Sequence, residues 1–234
     1  MLKINNLVAG YDGSVILRDI NMHVPEGKVV SVLGSNGAGK TTLMRAITGV
    51  IQPMEGTITF CGEPIESLPA HLTLKKGLAL VPEGRQIFDR LTVYENLMAG
   101  AYSRSDKAAV KRDVERMYEM FPILAERKTQ KAGTFSGGQQ QMLAIARGLM
   151  SDPKLLILDE PSLGLAPSVV ADVIEAVAKL RDEGLTIILV EQNVQDALQI
   201  ADYAYIIENG TIGLSGTAEE MLGSDAIRKA YLGM

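Results

Sequence analysis

A chain of 234 residues with 47% hydrophobic content can bury a substantial core, as one large domain or a domain with an inserted lobe. Its net charge of −5 comes without any long basic run, which excludes the electrostatic footprint of a nucleic-acid binder. No apolar run approaches the ~20 residues of a membrane helix, and the N-terminus lacks the apolar stretch of a signal peptide. The single cysteine, Cys61, excludes an internal disulfide, and with His23 and His71 far apart it excludes a structural zinc site.

The first third alternates short β-type runs with turn signals. KINNLVAGY, VILRDINMHV and GTITFCG suit antiparallel strands that flank a central KVVSVLG strand. TTLMRAITGV continues as a helix with Gly49 as its stop, and GLALVP reads as a short buried strand closed by Pro82. From about 85 to 135 the pattern changes. Thr92 and Glu95 have capping-box spacing before NLMAG. Val110, Val114, Met117, Tyr118 and Phe121 fall on one face of a helix from Asp106 to Phe121, a stripe that reads as core packing. The segment is predicted to be a small helical lobe inserted between β/α elements.

The β/α pattern then returns, with a helix from Ser136 to Met150, the strand LLILD, a helix from about Pro167 to Asp182, the strand TIILV and a helix from about Val194 to Ile200. YAYIIENGTIGLSG reads as a hairpin with Asn209 and Gly210 at a type I′ turn, and AEEMLGSDAIRKAYL as the last helix. Strands separated by helices imply an α/β fold whose mostly parallel sheet is covered on both faces.

Three stretches carry chemistry. Gly34, Ser35, Asn36, Gly37, Ala38, Gly39, Lys40 and Thr41, followed by Thr42, fit the eight-position phosphate loop between an apolar strand and a helix. Glycines let backbone N–H groups turn inward around phosphate oxygens, and the helix N-terminus adds partial positive charge. Lys40 supplies an ammonium to the β/γ-phosphates, and the Thr41 hydroxyl suits Mg²⁺. LLILDE delivers Asp159 to a strand end, where it can hold Mg²⁺ through water, and places Glu160 next to polarise an attacking water. Ser136, Gly137, Gly138 and Gln139 form a capping box whose two glycines cost helix stability and suit a backbone that approaches an anion.

The phosphate loop, then FSGGQQQMLAIARGL, then LLILDEPSLGLAP, in that order and spacing, resemble an ABC-transporter ATP-binding subunit over essentially the whole chain. VPEGRQIFDRLTVYENL, DEPSLGLAP, LVEQN and AYLG resemble more specifically the second ATPase subunit of branched-chain amino-acid importers. The resemblance implies a single ABC ATPase domain over residues 1–234: a P-loop NTPase core, an N-terminal antiparallel β subdomain and an α-helical subdomain at about 85–135. It implies ATP and Mg²⁺ as ligands, and Tyr11 stacked on adenine. It further implies a head-to-tail dimer with a second ATPase subunit, in which Ser136–Gln139 of one copy closes on the nucleotide of the other. Transmembrane permease subunits would dock on the helical lobe at the cytoplasmic face of the membrane, served indirectly by a substrate-binding protein. Three positions depart from the superfamily pattern: Glu83 stands where a glutamine near the metal is usual, Ala166 where aspartate is frequent, and Gln192 where a histidine faces the γ-phosphate. Urea, amides and other amino acids are the alternative cargoes. A soluble ABC ATPase is disfavoured by the absence of sustained heptads and of a second cassette, and a small-molecule kinase would not need the SGGQ motif.

Overall fold

The computed structural model describes residues 1–224. In chain order the elements are β1 (Leu2–Tyr11), β2 (Ser14–Val24), β3 (Val29–Leu33), α1 (Lys40–Ile47), β4 (Glu55–Phe60), β5 (Glu63–Pro64), α2 (Ala70–Lys75) and β6 (Leu78–Val81). There follow α3 (Val93–Gly100), α4 (Lys107–Met120), α5 (Pro122–Glu126), a 3₁₀ turn at Ala132–Thr134, α6 (Gly137–Leu149) and β7 (Leu155–Asp159). The chain then runs through α7 (Pro167–Asp182), β8 (Thr186–Glu191), α8 (Val194–Leu198), β9 (Tyr203–Glu208), β10 (Thr211–Thr217) and α9 (Ala218–Gly223).

The strands divide into two sheets. One is antiparallel, in the order β2-β1-β4-β5, and the other runs β10-β9-β3-β8-β7-β6. In the second sheet only β10 is antiparallel to its neighbour. The expectation that the N-terminal strands flank the VVSVL strand is therefore corrected: β3 hydrogen-bonds between β8 and β9, parallel to both. The reason lies in the side chains. All five residues of β3 are buried, so it suits the interior of a sheet covered on both faces, whereas β2 alternates toward solvent.

The period of two assigns successive residues to two cores. Val30, Val32, Leu155, Ile157, Ile188 and Val190 pack with the antiparallel sheet and α1. Val29, Leu33, Leu156, Leu158, Ile187 and Leu189 pack with residues of α6 and α7 such as Leu143 and Val177. Val93, Leu97, Val114 and Met117, from α3 and α4, belong to that same second cluster. Parallel strands thus all end at one edge, and the loops after β3, β7 and β8 converge there, where open α/β sheets collect ligands.

Most local expectations are met. Thr92 and Glu95 form a capping box on α3, and Val110, Val114 and Met117 are the buried residues of α4. Asn209 and Gly210 have φ of 50° and 79°, the left-handed pair of a type I′ turn. α2, β5 and α5 are additional, each of six residues or fewer and too short to show a period. α9 ends at Gly223, and the rest of the predicted last helix lies outside the described residues. No described helix is long and apolar enough to cross a membrane.

Candidate nucleotide site

The loop from Gly34 to Gly39 joins β3 to α1. Gly39 caps α1 at φ 114° without any side-chain acceptor, so no side chain occupies the N–H groups of the first turn. A Cβ at Gly39 would meet Leu17 Cδ2 at 2.7 Å, which leaves glycine as the residue that fits. No acidic residue stands in that first turn, and its amides present a positive pole for an anion.

Lys40 is the first residue of α1 and is only 4% exposed. Its Nζ donates to Gly34 O at 2.8 Å and Ser35 O at 3.1 Å, and lies 3.1 Å from Glu160 Oε1. The ammonium thus curls back over the loop with all three donors engaged. Glu160 follows β7 with φ of 49°, a left-handed backbone tied by its N–H to Val190 O at 2.9 Å. Its other carboxylate oxygen accepts a hydrogen bond from Gln192 Nε2. A cation from α1, a carboxylate just after β7 and an amide just after β8 are thus joined at one edge of the sheet.

Asp159 is buried beside them, and its Oδ1 has no hydrogen-bond partner among the described residues. Burial pushes its carboxyl up to about 6, reinforced by the charges of Glu160 and Glu83 and opposed by Lys40 and Arg45. A buried carboxyl with an unpartnered oxygen suits a cation. The Asp159 carboxylate and the Thr41 hydroxyl are both hard oxygen donors of the kind that fits Mg²⁺. Among the described residues no group of three His, Cys, Asp or Glu forms a self-sufficient cage, so substrate phosphates and water would complete the sphere. When bound, Mg²⁺ would neutralise phosphate charge.

The other predicted residues are placed differently. Glu83 is exposed in the loop after β6, near enough for its charge to act on Asp159. The Tyr11 hydroxyl accepts from Arg45 Nη1 at 3.1 Å, and the Arg45 guanidinium lies 5.9 Å from the Tyr11 ring centroid, so Tyr11 is joined to the side of α1. Ser136 and Gln139 cap α6 reciprocally, at 3.4 Å and 3.1 Å. Among the described residues no hydrogen bond or ion pair joins Ser136–Gln139 to the phosphate loop.

Sequence reasoning missed Glu191. It is 4% exposed, accepts from Ser162 N at 3.1 Å and from Gln192 N at 3.3 Å, and burial raises its pKa. It therefore fixes the segment that follows Glu160 and the turn that carries Gln192. A carboxylate closing the apolar run TIILV was its only signal.

A family model described as ABC transporter matches residues 17–163. The chain belongs to this ABC transporter family. The ABC ATPase is 46% identical over 233 residues to BraG, a high-affinity branched-chain amino acid transport ATP-binding protein of Pseudomonas aeruginosa, with 100% of both chains covered. It is 40% identical to LivF of Archaeoglobus fulgidus, a probable branched-chain amino acid transport ATP-binding protein, covering 100% of this chain and 99% of that one. LptB of Escherichia coli K12, a lipopolysaccharide export system ATP-binding protein, is 35% identical, with 99% and 97% covered. Among solved structures, the ADP conformation of MJ1267, an ATP-binding cassette of an ABC transporter, superposes with a TM-score of 0.85 at 27% identity, covering 100% and 99%. The expected P-loop NTPase fold, with an antiparallel N-terminal sheet beside a mostly parallel one, is met, and the ABC ATPase is an enzyme of the ATP-hydrolysing transporter class.

Proposed function

We propose that this ABC ATPase is the motor subunit of an importer for branched-chain amino acids. The observation that carries its chemistry is the cluster of Lys40, Glu160 and Gln192 at the phosphate loop. Gly34–Thr42 binds the phosphates of ATP through loop and helix amides. Lys40 exchanges Glu160 for the phosphates, Glu160 then accepts the proton of the attacking water, and Gln192 orients the reacting groups. Thr41, Asp159 and Glu83 serve Mg²⁺, and Tyr11 receives adenine.

The cap Ser136–Gln139 makes no polar contact with its own phosphate loop, which supports the reading that it closes on the nucleotide of a second ATPase subunit, head to tail. Permease subunits would dock beside the helices of residues 93–126 and hold the ATPase peripherally at the cytoplasmic face. The cargo rests on the full-length likeness to BraG and LivF.

The test is to assemble the chain with its permease subunits and binding protein in vesicles. Expected is ATP-dependent uptake of leucine, isoleucine and valine. Uptake of urea or amides instead would keep the motor and replace the cargo. An ATP-hydrolysing complex that imports none of these would overturn the importer reading.

A further inference from the structure

The candidate nucleotide site draws on two sheets that share no ladder: the phosphate loop follows β3, and Tyr11 ends β1. Their spacing has to be set by contacts between the sheets. The turn between β9 and β10 reaches both. Gly210 N donates to Ala38 O of the phosphate loop at 3.0 Å, and Gly210 O accepts from Arg18 N of β2 at 2.8 Å. One residue thus bonds the loop on one side and the antiparallel sheet on the other. Its φ of 79° favours glycine, and a Cβ there would lie 1.8 Å from Ile16 O.

The braced part of β2 lies beside Tyr11. Across the hairpin Leu17 pairs with Ala9, and Ser14 pairs with Tyr11 itself. Asp12 and Gly13, between Tyr11 and Ser14, have φ of 47° and 80°, the left-handed pair of a tight hairpin turn. A second tie acts on the Tyr11 side chain. Arg45, one turn along α1 from Thr41, donates from Nη1 to the Tyr11 hydroxyl at 3.1 Å, with its guanidinium 5.9 Å from the ring centroid. A guanidinium tethered at the hydroxyl takes at most one face of the ring. The charge of Arg45 also acts on Asp159, so this tether stands within electrostatic reach of the metal side.

We propose that Gly210 and Arg45 are positioning residues that hold the Tyr11 hairpin at a fixed place relative to the phosphate loop, so that base and phosphates are gripped together. The proposal rests on the reading given above, in which Tyr11 receives adenine and Gly34–Thr42 the phosphates. Neither residue has to touch the nucleotide. A ligand held at both ends binds more tightly when the spacing of the two ends is set beforehand, because less ordering is left for the binding step. Without the two ties each half still receives its part of the ligand, but the ligand itself has to order the hairpin.

The test is calorimetric titration of the full chain, in Mg²⁺, with ADP and with inorganic pyrophosphate. The ratio of the two affinities measures what base and ribose add. Tyr11→Ala should lower that ratio; if it does not, the adenine reading itself fails. Arg45→Met should weaken ADP about fivefold, the worth of one hydrogen bond, and leave pyrophosphate unchanged. Tyr11→Phe removes the same bond from its other end and should match it, and the two changes together should cost no more than either alone. Gly210→Ala should lower the ratio at least as far. Its melting temperature falls for steric reasons alone, but a loss of stability by itself leaves the ratio where it was. If this variant does not fold, Arg45→Met decides. A wild-type ratio in Arg45→Met, or in folded Gly210→Ala, while Tyr11→Ala lowers it, would overturn the proposal and leave the adenine reading standing. Equal losses for ADP and pyrophosphate in Arg45→Met would also overturn it, by placing Arg45 at the phosphates or the metal. So would additive losses of Arg45→Met and Tyr11→Phe.

Discussion

Lys40 and Glu160 neutralise each other beside the phosphate loop, with Nζ 3.1 Å from Oε1 and side chains 4% and 7% exposed. Neither charge is free while this pair holds. On the proposed function, incoming phosphates would draw Lys40 away and leave Glu160 with Gln192 and the substrate water. The proposed mechanism thus makes phosphate binding and release of the base one event.

Glu160→Gln tests this coupling. Turnover should fall by about 10²-fold or more, the usual contribution of a general base. The variant also removes the counter-charge of buried Lys40, which lowers the stability of the empty protein. ATP restores an anion to Lys40, so the ATP-induced rise in melting temperature should exceed that of the wild type. A smaller rise, or hydrolysis near the wild-type rate, would refute the exchange.

Gln192 donates to Glu160, and its amide can serve a γ-phosphate in the same way. Gln192→Ala should slow turnover by roughly tenfold, the loss of a hydrogen bond to a charged group. Gln192→His should retain activity and acquire a pH dependence between about 6 and 7, since imidazole titrates there and an amide does not. Turnover profiles from pH 5 to 9 decide it: full activity in the alanine variant would remove Gln192 from the site.

What the sequence made legible was local. Strand, glycine loop and helix run consecutively from Val29 to Ile47, so the phosphate loop could be read in one window. Ser136 and Pro167 announce α6 and α7 because caps and N-terminal prolines act within one turn. Pairing across distance was not legible. Nothing near β3 shows that its neighbours are β8 and β9, because register is set by surfaces that meet only on folding. The bond between Lys40 and Glu160, the tie between Gly210 and Ala38 and the clamp at Asn96 share that cause. Each is a relation between segments, and a single-window pattern carries no mark of it.

Asn96 is 0% exposed, and its side chain binds Phe88 N and Phe88 O, with a further bond of 3.0 Å to Thr92 O. Asn96→Ala leaves partly buried backbone groups of the loop before α3 without these partners. The expected loss is about 1 kcal/mol, the net worth of an ordinary hydrogen bond. Urea denaturation measures it. A change within experimental scatter would show that the loop finds other partners at no cost.

Asp159 gives the metal-free protein a pH dependence of known sign. Its carboxyl is raised from 3.8 to about 6 in the folded protein, chiefly by burial. Between these values the folded state binds more protons than the unfolded state. Stability from this group is therefore fully present below about pH 4 and is lost as pH rises toward about 6. Asp159→Asn has nothing to ionise. In chelator its melting temperature should exceed that of the wild type at pH 7, and the difference should close as pH falls from about 6 to about 4. Mg²⁺ binds the ionised form, so adding Mg²⁺ with ATP at pH 7 should narrow the difference by stabilising the wild type more than the variant. Melting curves that stay parallel from pH 4 to 7 would show that Asp159 is ionised throughout. A Mg²⁺ response equal in both proteins would place the metal elsewhere.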